Sequence, residues 1–219
     1  KTADGWSLGV LDCVTANEYE LISDGSNERR EIIEPLTHYF VGRVQKDMNK
    51  GNTVIGGMVT STNRKLSDLR FNYLPANAYS GGIDFSQFLF NRKYMIDVKL
   101  FGSHVSGSKE AITELQESPA RYYQRPDATH LTLDTNRKTL SGHGGRVHLA
   151  KVSGNLHGGV YATWNSPGLD INDIGYMRTT DEKMVISWLQ YNIWEPFWFF
   201  RNIRFNVSDW FGWNFGNKY

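Results

Sequence analysis

Arg201-Asn202-Ile203-Arg204-Phe205-Asn206-Val207-Ser208-Asp209-Trp210-Phe211-Gly212-Trp213-Asn214-Phe215 decides how the rest of the chain is read. Ile203, Phe205, Val207, Phe211, Trp213 and Phe215 share one set of alternate positions, and Arg204, Asn206 and Ser208 fall in the other. A two-residue period held this long predicts one extended strand with an apolar and a polar face. Strands of soluble proteins usually end after about five or six residues, whereas a tilted strand crossing a bilayer needs about nine to eleven. Trp194, Phe197, Trp198, Phe199 and Phe200 precede the stretch, and Trp210, Phe211, Trp213 and Phe215 end it. Aromatic girdles at both ends of the apolar band are a property of membrane-barrel strands. Asp209 interrupts the apolar row, and its charge requires either an interfacial position or a bulge that shifts the register.

Working back through the chain, similar patterns predict strands over residues 6–16, 36–48, 53–63, 78–90, from Tyr94 past Leu100, 139–152, 156–165 and 183–194. Short turns fall at Asn49-Lys50-Gly51-Asn52, Asn91-Arg92 (read as a two-residue hairpin) and Ser153-Gly154-Asn155. Residues 17–34, 64–77, 106–138 and 167–182 read as long connections. In the longest of these, Ser108 is placed to cap a helix through Glu117, with Pro119 limiting it, and Leu131 and Leu133 suggest a small extra ladder. Nine strands then alternate strictly between long and short connections. Bacterial barrels sort their loops this way because successive hairpin ends lie on opposite sides of the membrane.

The predicted fold is all-β: an antiparallel up-and-down transmembrane β-barrel segment. An odd strand count does not close a bacterial single-chain barrel, so residues 1–219 are expected to be an internal part of one larger barrel domain. Lys1-Thr2-Ala3-Asp4-Gly5 has no signal-peptide pattern, in keeping with a mature or internal piece.

Composition narrows the function classes. The chain has 24 Lys+Arg against 23 Asp+Glu, a balance that gives no reason to expect a nucleic-acid partner. Cys13 is the single cysteine, so neither an intrachain disulfide nor a cysteine-based metal site is expected. The six histidines form no metal-binding spacing, and no nucleophile elbow or phosphate loop is present. No catalytic residue and no cofactor is assigned. Arg43, Asp84, Asp97, Lys99 and Arg204 fall on polar strand faces, where they read as a charge ladder along a barrel wall.

Several segments, taken together, carry a resemblance: Glu34-Pro35-Leu36-Thr37, Tyr39 to Gln45, Gly51 to Met58, Gly102-Ser103-His104-Val105, Ala120 to Asp127, Ser166 to Arg178 and Trp210 to Phe215. They resemble an uncharacterised bacterial family whose members join an N-terminal carbohydrate-binding domain of the family-9 type to a long C-terminal outer-membrane barrel region. The resemblance implies an outer-membrane location in a Gram-negative bacterium and a place inside the barrel region, without the carbohydrate-binding domain. It transfers no catalytic residue, and only the companion domain suggests a glycan as ligand.

Asp170, Asn172, Asp173 and Arg178 are the candidate ligand-binding residues, on a connection expected to face outward from the cell. Asp170, Asn172 and Asp173, with Asp181 and Glu182 nearby, offer oxygens suited to calcium, but Ser166-Pro167-Gly168 and Asn172-Asp173 are also ordinary turn formers and turn chemistry is preferred. The expected function is binding or passage of a glycan or other envelope ligand, with outer-membrane lipid and other envelope proteins as partners. Alternatives are a soluble all-β carbohydrate-binding module and an envelope glycan hydrolase; the second needs a converging pair of carboxylates that spacing does not reveal.

Overall fold

The computed structural model describes residues 1–218. In chain order it contains β1 (Trp6–Thr15), β2 (Glu18–Ser23), β3 (Glu28–Glu34), β4 (Thr37–Met48), β5 (Thr53–Arg64), β6 (Pro75–Leu89), β7 (Tyr94–Gly107), α1 (Lys109–Glu117), β8 (Thr139–Lys151), β9 (Leu156–Asn165), β10 (Glu182–Ile193) and β11 (Ile203–Trp213). Among the described residues, nine of these strands form one antiparallel sheet in the order β1-β4-β5-β6-β7-β8-β9-β10-β11, a meander in which each strand lies beside its sequence neighbour. The expected strands are all present, and β6 reaches 15 residues. The sheet is not closed: β1 and β11 are its two ends. Eight antiparallel steps separate them, so these edges run in the same direction.

Register fixes two faces, because directly paired residues in an antiparallel ladder point the same way. One row runs Leu8, Val44, Gly57, Ile83, Leu100, Gly145 and Trp164 from β1 to β9. Val160, Leu189, Val207, Tyr191 and Phe205 share that apolar face. Toward the long connections it gives way to His38, Ser61, Tyr79, His104 and His143, and toward the short turns to Lys46, Gln87 and Lys151. The opposite face carries Arg43, Thr60, Ser80, Asp84, Asp97, Lys99, Ser103, Arg146 and Asn206.

Buried apolar packing is concentrated at the long-connection end, over the polar face. Ala78, Val105, Ile112, Tyr123 and Leu140 form a cluster, and Leu115, Leu131 and Leu133 pack against it. The helix in this cluster begins as expected: the Ser108 hydroxyl accepts the Ala111 amide proton at 3.0 Å, and Glu110 lies in the first turn where the helix dipole favours an acid. It presents Ile112 and Gln116, one turn apart, to the interior.

Three local expectations change. Residues 17–34 are not an open connection but the hairpin β2–β3, turned at Asp24–Asn27, where the Asp24 carboxylate accepts the Ser26 and Asn27 amides. Leu131 and Leu133 form no ladder, because their side chains are drawn into the cluster against α1. The β6–β7 turn uses Phe90, Asn91 and Arg92, all at positive φ, so it is longer than a two-residue hairpin. Pairing of β10 with β11 continues without a register shift through Asp209, opposite Ser187, so the bulge alternative for Asp209 fails.

Candidate functional site

Besides the exposed group of Arg29, Glu31, Asp68 and Arg70 and the exposed pairs Lys1–Asp47 and Asp12–His38, two places bring charged side chains together among the described residues. The first is the junction of residues 108–138 and 166–181 at the long-connection end. Gly142 lets them close onto the sheet: a Cβ there would fall on the Leu169 backbone. The Asp170 amide donates to the Ser103 hydroxyl on β7 at 2.8 Å, and the Asp170 carboxylate pairs with Arg121 at 2.8 Å, both side chains almost wholly buried. Arg121 also donates to the Leu169 carbonyl at 2.6 Å. Asp173 pairs with Arg64 on β5. Asp181, at φ 57°, accepts from Arg125 at 2.7 Å and from the Phe215 amide at 3.0 Å, with His130 at 2.9 Å. Single carboxylates thus tie three separate stretches of chain together.

Of the candidate residues, Asp170 and Asp173 are brought into this junction, each facing an arginine. Asn172 turns inward on its own loop, its side-chain oxygen accepting the Met177 amide at 2.7 Å. Arg178 is exposed on the same loop. A cation at Asp170 and Asp173 would have to displace those arginines, so their chemistry is that of anchors for the loop. Nearby, Gln116 bridges Ile112 and Asp134, accepting the Asp134 amide and donating to both carbonyls. Burial pushes the Tyr123 phenol above its ordinary value of 10.0.

The second place is the middle of the polar face. Arg43 on β4 reaches across β5 to grip Asp84 on β6 with both terminal nitrogens, at 2.6 and 3.0 Å. Gly56 is the floor beneath this pair, since a Cβ there would lie 2.8 Å from both partners. Asp97 accepts the Ser86 hydroxyl at 2.6 Å. Lys99 and Arg146 face each other directly across β7 and β8. The 166–181 connection overhangs part of this surface, and Ile171, Ile174 and Gly175 line an open cavity of about 490 Å³ with Arg43, Met58, Asp84, Lys99 and Phe101.

Sequence reading found the strand charges but missed Arg64, Arg121, Arg125 and His130 as partners. Residues 118–138 have no period, and the pairs they make join stretches far apart in the chain.

These features define a class: a single-layer antiparallel meander with a wet and a greasy face and an ordered loop assembly at one end. The chain belongs to the family described as a domain of unknown function, DUF5916, whose model matches residues 1–216. Comparison with curated proteins found no match. Comparison with solved structures found none either.

Proposed function

We propose that this chain is a membrane-embedded part of an outer-membrane β-barrel in a Gram-negative bacterium, with its apolar face in lipid and its polar face toward a water-filled interior. The carrying observation is the uncovered apolar face: Leu8 is 78%, Ile83 63%, Leu189 54% and Val207 71% exposed, on strands spread across the whole sheet. Soluble monomers rarely expose contiguous apolar surface beyond a few hundred Å². Among the described residues the one other sheet is the two-stranded β2–β3, too small to cover it, so the rows do not meet each other in a sandwich core.

Dimensions agree with this reading. Between Tyr94 and His104, the polar-tipped residues that bound it, the apolar row of β7 occupies about 33 Å along the strand, or about 25 Å when tilted by about 40°. That height is the apolar band of an outer-membrane barrel. The parallel edges β1 and β11 support an incomplete wall: antiparallel closure takes an odd number of further strands. Long, unpaired, apolar edges are otherwise hazards for aggregation.

The likeness to barrel regions that follow a family-9-type carbohydrate-binding domain supports a glycan or similar envelope ligand, bound or passed rather than chemically altered. Asp170, Asn172, Asp173 and Arg178 then shape the rim, the aspartates by fixing the loop and exposed Arg178 by meeting the ligand. The test is fractionation of cells making the full-length protein. Retention in the outer-membrane fraction, with release by detergent but not by high salt, is expected; recovery in the soluble fraction without detergent contradicts the proposal.

A further inference from the structure

Asp209 is exposed on the apolar face of β11, directly opposite Ser187, and among the described residues its carboxylate has no ion pair or hydrogen bond. The other charged residues of the nine-stranded sheet on that face are all engaged. Asp12 pairs with His38, Lys46 donates to the Asp4 carbonyl, Lys151 to the Ser153 and Leu156 carbonyls, and Lys183 to the Asn217 side chain. A bulge does not turn Asp209 aside, because the β10–β11 register runs through it unbroken. Nor does it sit at the end of its row: Ile203, Phe205 and Val207 precede it, and Phe211 and Trp213 follow. Trp213 lies four residues further on, about 13 Å along the strand. A lone carboxylate so placed in a lipid-facing row is unfavourable, and ionisable groups within a bilayer are kept with a partner.

The side from which a partner can come is open. β11 is hydrogen-bonded to β10 on one edge and leaves the other edge of its 11 residues free, with neither a proline nor a register shift to blunt it. A strand added there sets its own lipid-facing side chains beside Asp209, where an opposite charge stabilises the ladder. We propose that the free edge of β11 receives an antiparallel strand of the same barrel wall, from outside residues 1–219, that is apolar toward lipid except for a lysine or arginine beside Asp209. This rests on the reading of the sheet as an incomplete membrane wall, and it names the chemistry of the strand that continues it.

A second copy of residues 1–219 does not fit the edge. In a shared membrane orientation its β1 runs parallel to β11, and two β11 strands paired antiparallel put their long-connection ends on opposite sides of the bilayer. Neither strand supplies the cation, since the apolar rows of β1 and β11 hold no lysine or arginine.

The experiment places photoreactive benzoylphenylalanine at Val207 or at Phe211, the exposed neighbours of Asp209 in its row, in full-length protein in liposomes, and locates the cross-links by mass spectrometry. An intramolecular cross-link is expected to one stretch of alternating apolar residues with a lysine or arginine within two residues of the linked position. Asp209→Asn then strands that cation and raises the unfolding equilibrium constant by about tenfold or more; replacing the cation with Gln as well recovers most of the loss. An unpartnered Asp209 gives the opposite sign, because removing a lone charge from the apolar row stabilises the sheet or leaves it unchanged.

Cross-links to lipid alone or between two copies, a linked stretch without a lysine or arginine at that place, or an Asp209→Asn protein at least as stable as the parent each overturns the proposal. Failures separate cleanly. A soluble protein that gives the cross-link and the destabilisation contradicts only the membrane placement, and a membrane protein that cross-links to lipid alone contradicts only the partner strand.

Discussion

The loop end and the apolar face of the sheet use similar residues in opposite ways. At the loop end, Val105, Ile112, Leu140 and Leu169 are sealed from solvent, and the charges among them are matched. On the apolar face of the sheet, Leu8, Ile83 and Val207 stand open. The first arrangement is how a protein folds in water. The second leaves apolar side chains to water unless something apolar covers them, and the proposed cover is a bilayer. On the proposed membrane placement the difference is that between two solvents, with the boundary at His38, Tyr79, His104 and His143.

Substitutions that treat the two regions alike should therefore have opposite consequences. The largest effect is expected for Arg121→Met, which leaves the buried Asp170 carboxylate unpaired and costs about 3–5 kcal/mol. Protease cleavage within residues 118–138 should rise sharply, and the double variant Arg121→Met/Asp170→Leu should recover much of the loss. Next comes Ile83→Arg. On a lipid-facing wall it costs about 2–4 kcal/mol near the midplane, whereas on an exposed aqueous surface it stays within about 0.5 kcal/mol. Asn206→Arg, on the opposite face of β11, provides the control and should be nearly neutral; equilibrium unfolding in detergent or lipid reads both.

A smaller loss, about 1 kcal/mol, is expected for Ser108→Ala, which removes the cap of α1 without touching the sheet. Amide exchange should quicken over Lys109–Glu117 and remain unchanged over β7. The smallest effect is a pH dependence. Tyr123 has a folded-state pKa raised above 10.0 by burial, so the folded form gains stability below pH 10 and loses it as pH rises through that higher value. Tyr123→Phe should flatten the alkaline limb of the stability profile and leave neutral pH nearly unchanged.

The wall was legible in the sequence because period-two alternation is a local signal repeated many times. Leu156, Val160, Ala162 and Trp164 reveal β9, and Asn49 to Asn52 end β4, without knowledge of any distant residue. Ser108 announced α1 for the same reason. The β2–β3 hairpin stayed hidden because Glu18, Glu20, Glu28, Arg29, Arg30 and Glu31 put charge on both faces of an exposed two-stranded ribbon, although its turn at Asp24–Asn27 was visible.

Asp170 and Asp173 were singled out, but their roles were not legible. Whether a carboxylate binds a ligand or anchors a loop depends on which arginine folds against it, and Arg121 and Arg64 come from remote stretches with no pattern linking them. The Lys99–Arg146 opposition likewise appears only once the β7–β8 register is known.

The central claim concerns which solvent meets each face. Spin labels at Ile83, Leu100 and Val207, and at Ser80, Lys99 and Asn206, in a Cys13→Ser background of the full-length protein in liposomes, test it most directly through collisions with oxygen and with a water-soluble nickel complex. The account predicts high oxygen and low nickel accessibility at the first three positions and the reverse at the second three. Nickel accessibility equal on the two faces, or shielding of Ile83, Leu100 and Val207 from both reagents, would contradict it.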